Sequence, residues 1–92
     1  MKYSYYAVFE YSSEEEIRRG IYPIGIYFPD FLGCVSGANN MKQALEMAEE
    51  VLTMRIEAEL DDKKALPNSS DKRNLTKNLA LNEKLFKVTV SV

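Results

Sequence analysis

Fourteen carboxylates, twelve basic side chains, one cysteine and no histidine delimit the chemistry open to this 92-residue chain. Without histidine there is no ordinary general base near neutral pH, no imidazole metal ligand, and no Ser-His or Cys-His pair. Cys34 has no activating partner. As the one cysteine it forms neither an intramolecular disulfide nor a thiolate zinc site, and it reads as a small buried hydrophobe. A two-metal nuclease needs several carboxylates converging on one point. Glu10, Asp30 and either Asp61 or Asp71 are the candidates. Nothing in their spacing forces convergence, and Asp30 is expected to bond amides within its own turn. Glu14-Glu15-Glu16 would hold a cation only on a rigid frame; in a polar connection it reads as solvated. The glycines match neither a phosphate-binding loop nor a dinucleotide fingerprint. These residue types disfavour an enzyme, and no cofactor or metal is expected.

The elements that would position these residues are those of a small α+β domain. Ninety-two residues make one domain with one core, burying only about 60–65% of the unfolded surface, so oligomerisation or a partner would add stability. The net charge of −2 argues against a general nucleic-acid scaffold. The basic residues Lys72, Arg73, Lys77, Lys84 and Lys87 carry no interleaved aromatic platform and read as solvated surface. No apolar run approaches the ~20 residues of a membrane span. Nor does Met1-Lys2-Tyr3-Ser4 begin a signal peptide. A cytoplasmic location is the expectation.

Hydrophobic periodicity places the elements. Tyr3–Tyr11 is apolar on both parities and predicts a central strand covered on two sides. Ser12–Gly20 is an exposed connection with a helical turn started by Ser12 or Ser13. A second strand starts at Ile24, because Pro23 suits a strand's beginning or an edge; Ile24, Ile26 and Phe28 share its core face. Pro29-Asp30 breaks it, Gly33 permits a tight return, and Cys34–Ser36 is the third strand of an antiparallel meander. Asn40 and Gln43 have capping-box spacing ahead of a long amphipathic helix. Its apolar face is Met41, Ala44, Leu45, Ala48, Val51, Leu52 and Ile56, and it ends by Asp61-Asp62-Lys63-Lys64. Met47 and Met54 lie at the margin of that face, where methionine serves either as core edge or as partner surface. Leu66 is placed to fill an apolar gap beside Pro67. Ser70 is placed to cap a short helix bearing Leu75 and Leu79. A last strand over Leu85–Val92 alternates Phe86, Val88, Val90 and Val92 with polar residues, and a right-handed crossover would bring it back parallel to an earlier strand. The strand pattern running to Val92 suggests a further segment beyond it.

The run Phe28-Pro29-Asp30-Phe31-Leu32-Gly33-Cys34-Val35-Ser36-Gly37, then Ala44-Leu45, Ala48 and Leu52, then Leu66-Pro67-Asn68-Ser69, resembles the HicB antitoxin family over about Tyr5 to Ser70. The family's turn reads FPDLPGC and its later motif LPxPS. Here Leu32 replaces a proline, Asn40 a common threonine cap and Gln43 a frequent glutamate, and Asn68 fits the later motif loosely. Within the motif Phe28, Pro29, Asp30, Gly33 and Cys34 read as structural. The resemblance implies a partial RNase H-like fold, with a three-stranded antiparallel meander, one long helix and a final strand beside the first. It implies an antitoxin of a bacterial type II toxin–antitoxin system that covers a HicA-type, mRNA-cleaving toxin without catalysis, and homo-oligomerisation to a dimer or tetramer. DNA binding in the family belongs to a C-terminal domain absent from residues 1–92, which are expected to form a single HicB-like domain. Interface positions expected from residue type are Tyr6 and Tyr27, with Met47 and Met54 at the helix margin. A regulator binding nucleic acid through the Lys72–Lys87 region, and a vestigial RNase H-like nuclease, are the alternative readings.

Overall fold

The tyrosine-rich N-terminal segment is the long inner strand of the sheet. In the computed structural model, which describes residues 1–92, β1 (Lys2–Tyr11) lies between β2 (Ile24–Tyr27) and β4 (Glu83–Ser91). β3 (Val35–Ala38) pairs with the far side of β2, giving the order β3-β2-β1-β4 with every pairing antiparallel. The expected meander of β1, β2 and β3 is present, and β4 beside β1 makes it four-stranded. Alternation along the strands sorts the side chains. Tyr5, Ala7, Phe9, Ile24, Ile26, Val88 and Val90 point to one buried face. Tyr6, Val8, Tyr27 and Leu85 occupy the other, where Val8 is 1% exposed. β1 is thus buried along the first face, and on the second only at Val8, with Lys2 and Glu10 exposed there, so the two-sided cover that its apolar parities predict is limited to the strand's middle.

The first face is covered by α2 (Met41–Asp61). Asn40 caps it, its side chain accepting from the Gln43 amide at 2.8 Å. Gln43 Oε1 accepts from Asn39 N–H at 2.6 Å, one residue before the cap, so the reciprocal bond of the expected capping box is shifted outward. Ala44 and Ala48 let the helix approach the sheet closely, and Leu52 and Ile56 fill the space beyond; all four are fully buried. The expected apolar face is too broad: Met41 and Leu45 are 36% and 45% exposed. The fully buried residues are spaced four apart, Met47 and Val51 pack half-buried on one flank of that row, and Met41 and Leu45 on the other are open to solvent.

The direction of β4 corrects the sequence expectation, for it runs antiparallel to β1. α2 starts beside the C-terminal end of β1, where Tyr11 Oη lies 3.4 Å from Met41 Sδ, and runs to the opposite end of the sheet. A strand following directly would have been parallel to β1. Residues 62–82 instead climb back. Leu66 packs on the core, the Pro67 carbonyl accepts from Tyr5 Oη at 2.6 Å, and Asn82 bonds Tyr11 through both its carbonyl and its side-chain amide. The chain re-enters the sheet beside Tyr11 and can only run down.

Two short helices complete the chain. α1 (Glu14–Arg18) has Ser13 as its cap, with Glu16 closing a full capping box. α3 (Lys72–Lys77) is capped by Asp71 and not by Ser70, whose amide and hydroxyl are already committed to Asp30.

Candidate protein-binding surface

The hairpin between β2 and β3 is built by local hydrogen bonds. Phe31 N–H donates to the Phe28 carbonyl, Cys34 N–H to that of Phe31, and Phe28 N–H to that of Cys34, at 3.0, 3.1 and 3.2 Å. Gly33 sits at φ +78°, in the left-handed region that costs a side-chain-bearing residue free energy. Phe28, Phe31 and Cys34 turn inward and are buried. The Cys34 thiol faces the Val51 carbonyl of α2 at 3.8 Å. Burial raises its pKa, which the nearby Arg55 charge partly opposes. It is the small hydrophobe the sequence predicts.

Asp30 behaves differently from expectation. Its carboxylate accepts no bond from its own turn. Oδ2 takes the Ser70 amide at 2.8 Å and Oδ1 takes the Ser70 hydroxyl. The two halves of the family motif, far apart in sequence, are therefore tied to each other. Tyr5 completes the tie: its ring meets Phe31 edge-on at 4.7 Å while its hydroxyl holds Pro67. The Arg55 guanidinium lies over the other side of the cluster, 5.7 Å from the Phe31 centroid, and pairs with Glu59 at 2.9 Å. The hairpin is thus anchored to β1, α2 and the segment after α2.

The anchored hairpin presents apolar side chains to solvent. Leu32 is 93% exposed, Val35 64% and Met54 of α2 63%. On one side of the turn, Val35 and Met54 share a cleft of ≈ 300 Å³ with Gly33, Val51, Arg55 and Ala58. On the other, Leu32 and Val35 share one of ≈ 410 Å³ with Tyr27, Pro29 and Phe31. Tyr27 and Met54, two of the four residues expected at an interface, thus flank the same hairpin, joined by Leu32 and Val35. The other two do not belong there. Tyr6 lies opposite Lys87 in the β1–β4 pairing, and Met47 is half-buried against the core. Neither Leu32 nor Val35 carries a local mark of an interface residue: an apolar strand residue is normally buried, and single exposed apolar residues on a turn are common. The one available signal was that Leu32 stands where the family carries proline.

Tyr27 is held in place across the sheet. Its hydroxyl donates to Glu83 Oε2 of β4 at 3.0 Å, so its ring spans β1 above Val8. Burial, then the hydrogen bond and charge of Glu83 and the charge of Glu10, push its phenol up to about 12.

The carboxylates considered for metal chemistry are scattered. Glu10 lies on the Tyr27 side of β1 opposite Glu83, while Asp30 is occupied by Ser70. No group of three or more metal-ligating side chains comes together. The basic residues are dispersed as well, with Lys84 and Lys87 on opposite faces of β4. No helix is long and apolar enough to cross a membrane.

The site is therefore a small α+β frame that displays an apolar hairpin to solvent. The sequence model describing the HicB-like antitoxin of bacterial toxin–antitoxin systems matches residues 17–92, and the chain belongs to that family. Among curated proteins none matches the sequence significantly. Among solved structures, the chain is similar to a chain of a toxin–antitoxin complex from Streptococcus pneumoniae, with a TM-score of 0.76 and 20% identity over 99% of this chain and 70% of that one. It is also similar to a chain of the HicA3 and HicB3 toxin–antitoxin complex, with a TM-score of 0.60 and 22% identity over 94% of this chain and 95% of that one. At these identities the likeness establishes the shared fold.

Proposed function

We propose that this chain is the antitoxin of a bacterial type II toxin–antitoxin pair and neutralises a small HicA-type toxin, an mRNA-cleaving protein, by binding and covering it in the cytoplasm. The family match over residues 17–92 carries the reading. Two features support it. The chain lacks the histidine that acid–base chemistry most often uses, and its carboxylates do not gather, so binding is the activity left to it. The band of Tyr27, Leu32, Val35 and Met54 offers that binding a rigid, partly apolar surface. The hairpin is braced through Asp30 and Tyr5, so a partner would meet it preorganised and the ordering cost of association would be small.

Self-association is part of the same reading. It would cover surface that a core of this size leaves open.

The test is co-expression with the product of the adjacent reading frame. Relief of the growth arrest that the neighbour causes alone, together with co-purification of the two proteins, is expected. Arrest that persists despite soluble expression of this chain overturns the proposal.

A further inference from the structure

The sheet ends on one side in β3, only four residues long, and on the other in β4, which is nine residues long and contains no proline. At the foot of the β1–β4 ladder Val92 N–H donates to the Met1 carbonyl at 2.9 Å, and the Met1 amino group donates to the Val92 carbonyl at 2.8 Å. At its head Tyr11 N–H donates to the Asn82 carbonyl. In an antiparallel ladder such bonded pairs recur at every second residue. The N–H and C=O groups of Leu85, Lys87, Thr89 and Ser91 therefore point away from β1, and no turn, loop or side chain bonds to them. An open row of this kind is a template for a strand from another polypeptide.

The charge beside the edge says what kind of strand fits. Between α2 and the end of β4 lies a cleft of ≈ 500 Å³, with Glu46, Glu49 and Glu50 on the helix side and Thr89, Val90 and Ser91 on the strand side. The three glutamates are exposed, and none has an ion-pair partner within the chain. Lys84 is the basic residue of β4 on the α2 side, but it stands about 20 Å along the strand from Val90. Lys87 lies on the opposite face. The negative charge of the cleft is thus left uncompensated by the strand beside it. Side chains of an added strand would alternate between the two faces. Those on the α2 side would lie beside Val88 and Val90, under the glutamates. Lysine or arginine suits that row, because its apolar stem can cover the valines while its charged head reaches a carboxylate. An acidic strand would be repelled from it.

We propose that the free edge of β4 takes an extended basic segment of a partner protein as a fifth strand of the sheet, with lysine or arginine side chains of that segment entering the cleft beneath Glu46, Glu49 and Glu50. This rests on the edge and its charge, and it stands apart from the hairpin surface assigned to the toxin.

Calorimetric titration of the chain with a synthetic peptide of alternating lysine and valine tests it, with amide hydrogen exchange locating the peptide. Binding that weakens as salt is added is expected, together with protection of the Leu85, Lys87, Thr89 and Ser91 amides. Glu49→Lys is expected to weaken the peptide about tenfold, because like charges juxtaposed across an interface oppose association. Thr89→Pro removes an outward donor without breaking the ladder to β1, and should weaken it at least as much. A peptide N-methylated at alternate residues reads the same pairing on the unaltered protein, and should not bind. No binding of the lysine peptide overturns the proposal. So does equal binding of a glutamate–valine peptide or of the N-methylated one, or protection that falls on the hairpin in place of β4. Edge protection that rises with protein concentration in the absence of peptide overturns it too, by giving the edge to a second copy. None of these outcomes bears on the toxin-neutralisation test, which reads growth arrest.

Discussion

Asp30 is where the distant parts of the chain converge. Removing its carboxylate strands the Ser70 amide and hydroxyl in a half-buried site, and an unsatisfied group there costs about 1–3 kcal/mol. Asp30→Ala is therefore expected to lower the free energy of urea unfolding by that amount. Ser70→Ala, which keeps the amide bond, should cost less, and the double variant should show the two effects to be non-additive. Tyr27 makes a pH-dependent contribution whose sign follows from its raised pKa. Between the unfolded value of 10.0 and about 12, the folded chain keeps the phenolic proton while the unfolded chain releases it. The stability it supplies is present in full below pH 10 and is lost as pH rises through about 12. The tyrosinate absorbance of the native chain should thus contain a late step that Tyr27→Phe diminishes. Burial and the Asp30 charge raise the Tyr5 phenol as well, so the contradicting result is a late step whose amplitude Tyr27→Phe leaves unchanged.

At the scale of elements, local rules and tertiary packing decided different things. The caps of α1 and α2 fell where side-chain chemistry demands, at Ser13 and Asn40. Asn40→Ala should cost about 1 kcal/mol in denaturant unfolding, with helix α2 still formed because its buried row is unchanged. The breadth of α2's apolar face and the cap of α3 were not legible. Each depends on what lies against the element: the sheet covers one row of helix residues fully and only one of its flanks in part, and Ser70 is withdrawn from capping by Asp30. Gly37 makes the same point. The Tyr22 ring closes over it so tightly that a Cβ would fall 2.5 Å from Tyr22 Cδ2, a contact that no local pattern announces.

For the whole molecule, the question is which surface meets a partner. Residue type alone points to Tyr6, Tyr27, Met47 and Met54. The fold gathers Tyr27 and Met54 around the hairpin with Leu32 and Val35, and sends the other two elsewhere. Leu32→Ser combined with Met54→Ser removes exposed apolar area without touching the core. It should change the unfolding free energy by less than about 1 kcal/mol, the sum expected of two exposed substitutions, and weaken toxin binding by tenfold or more, as loss of a central apolar anchor does. Calorimetric titration with the purified toxin measures it. Unchanged affinity would move the interface away from the hairpin.

By itself the sequence determined the strand–turn–strand–helix order, the inward positions of β1 and α2, the structural character of Cys34 and Gly33, and the family. These follow from periodicity, capping and turn chemistry, all of which act over a few residues and leave a local mark. The tertiary structure alone decided that β4 runs antiparallel to β1, that Asp30 reaches Ser70, and that the apolar hairpin faces solvent while one long edge stays unpaired. Those outcomes depend on where residues 62–82 are pinned at each end of the sheet. The path of a long connection is set by contacts between residues far apart in the chain, and such contacts have no period to read.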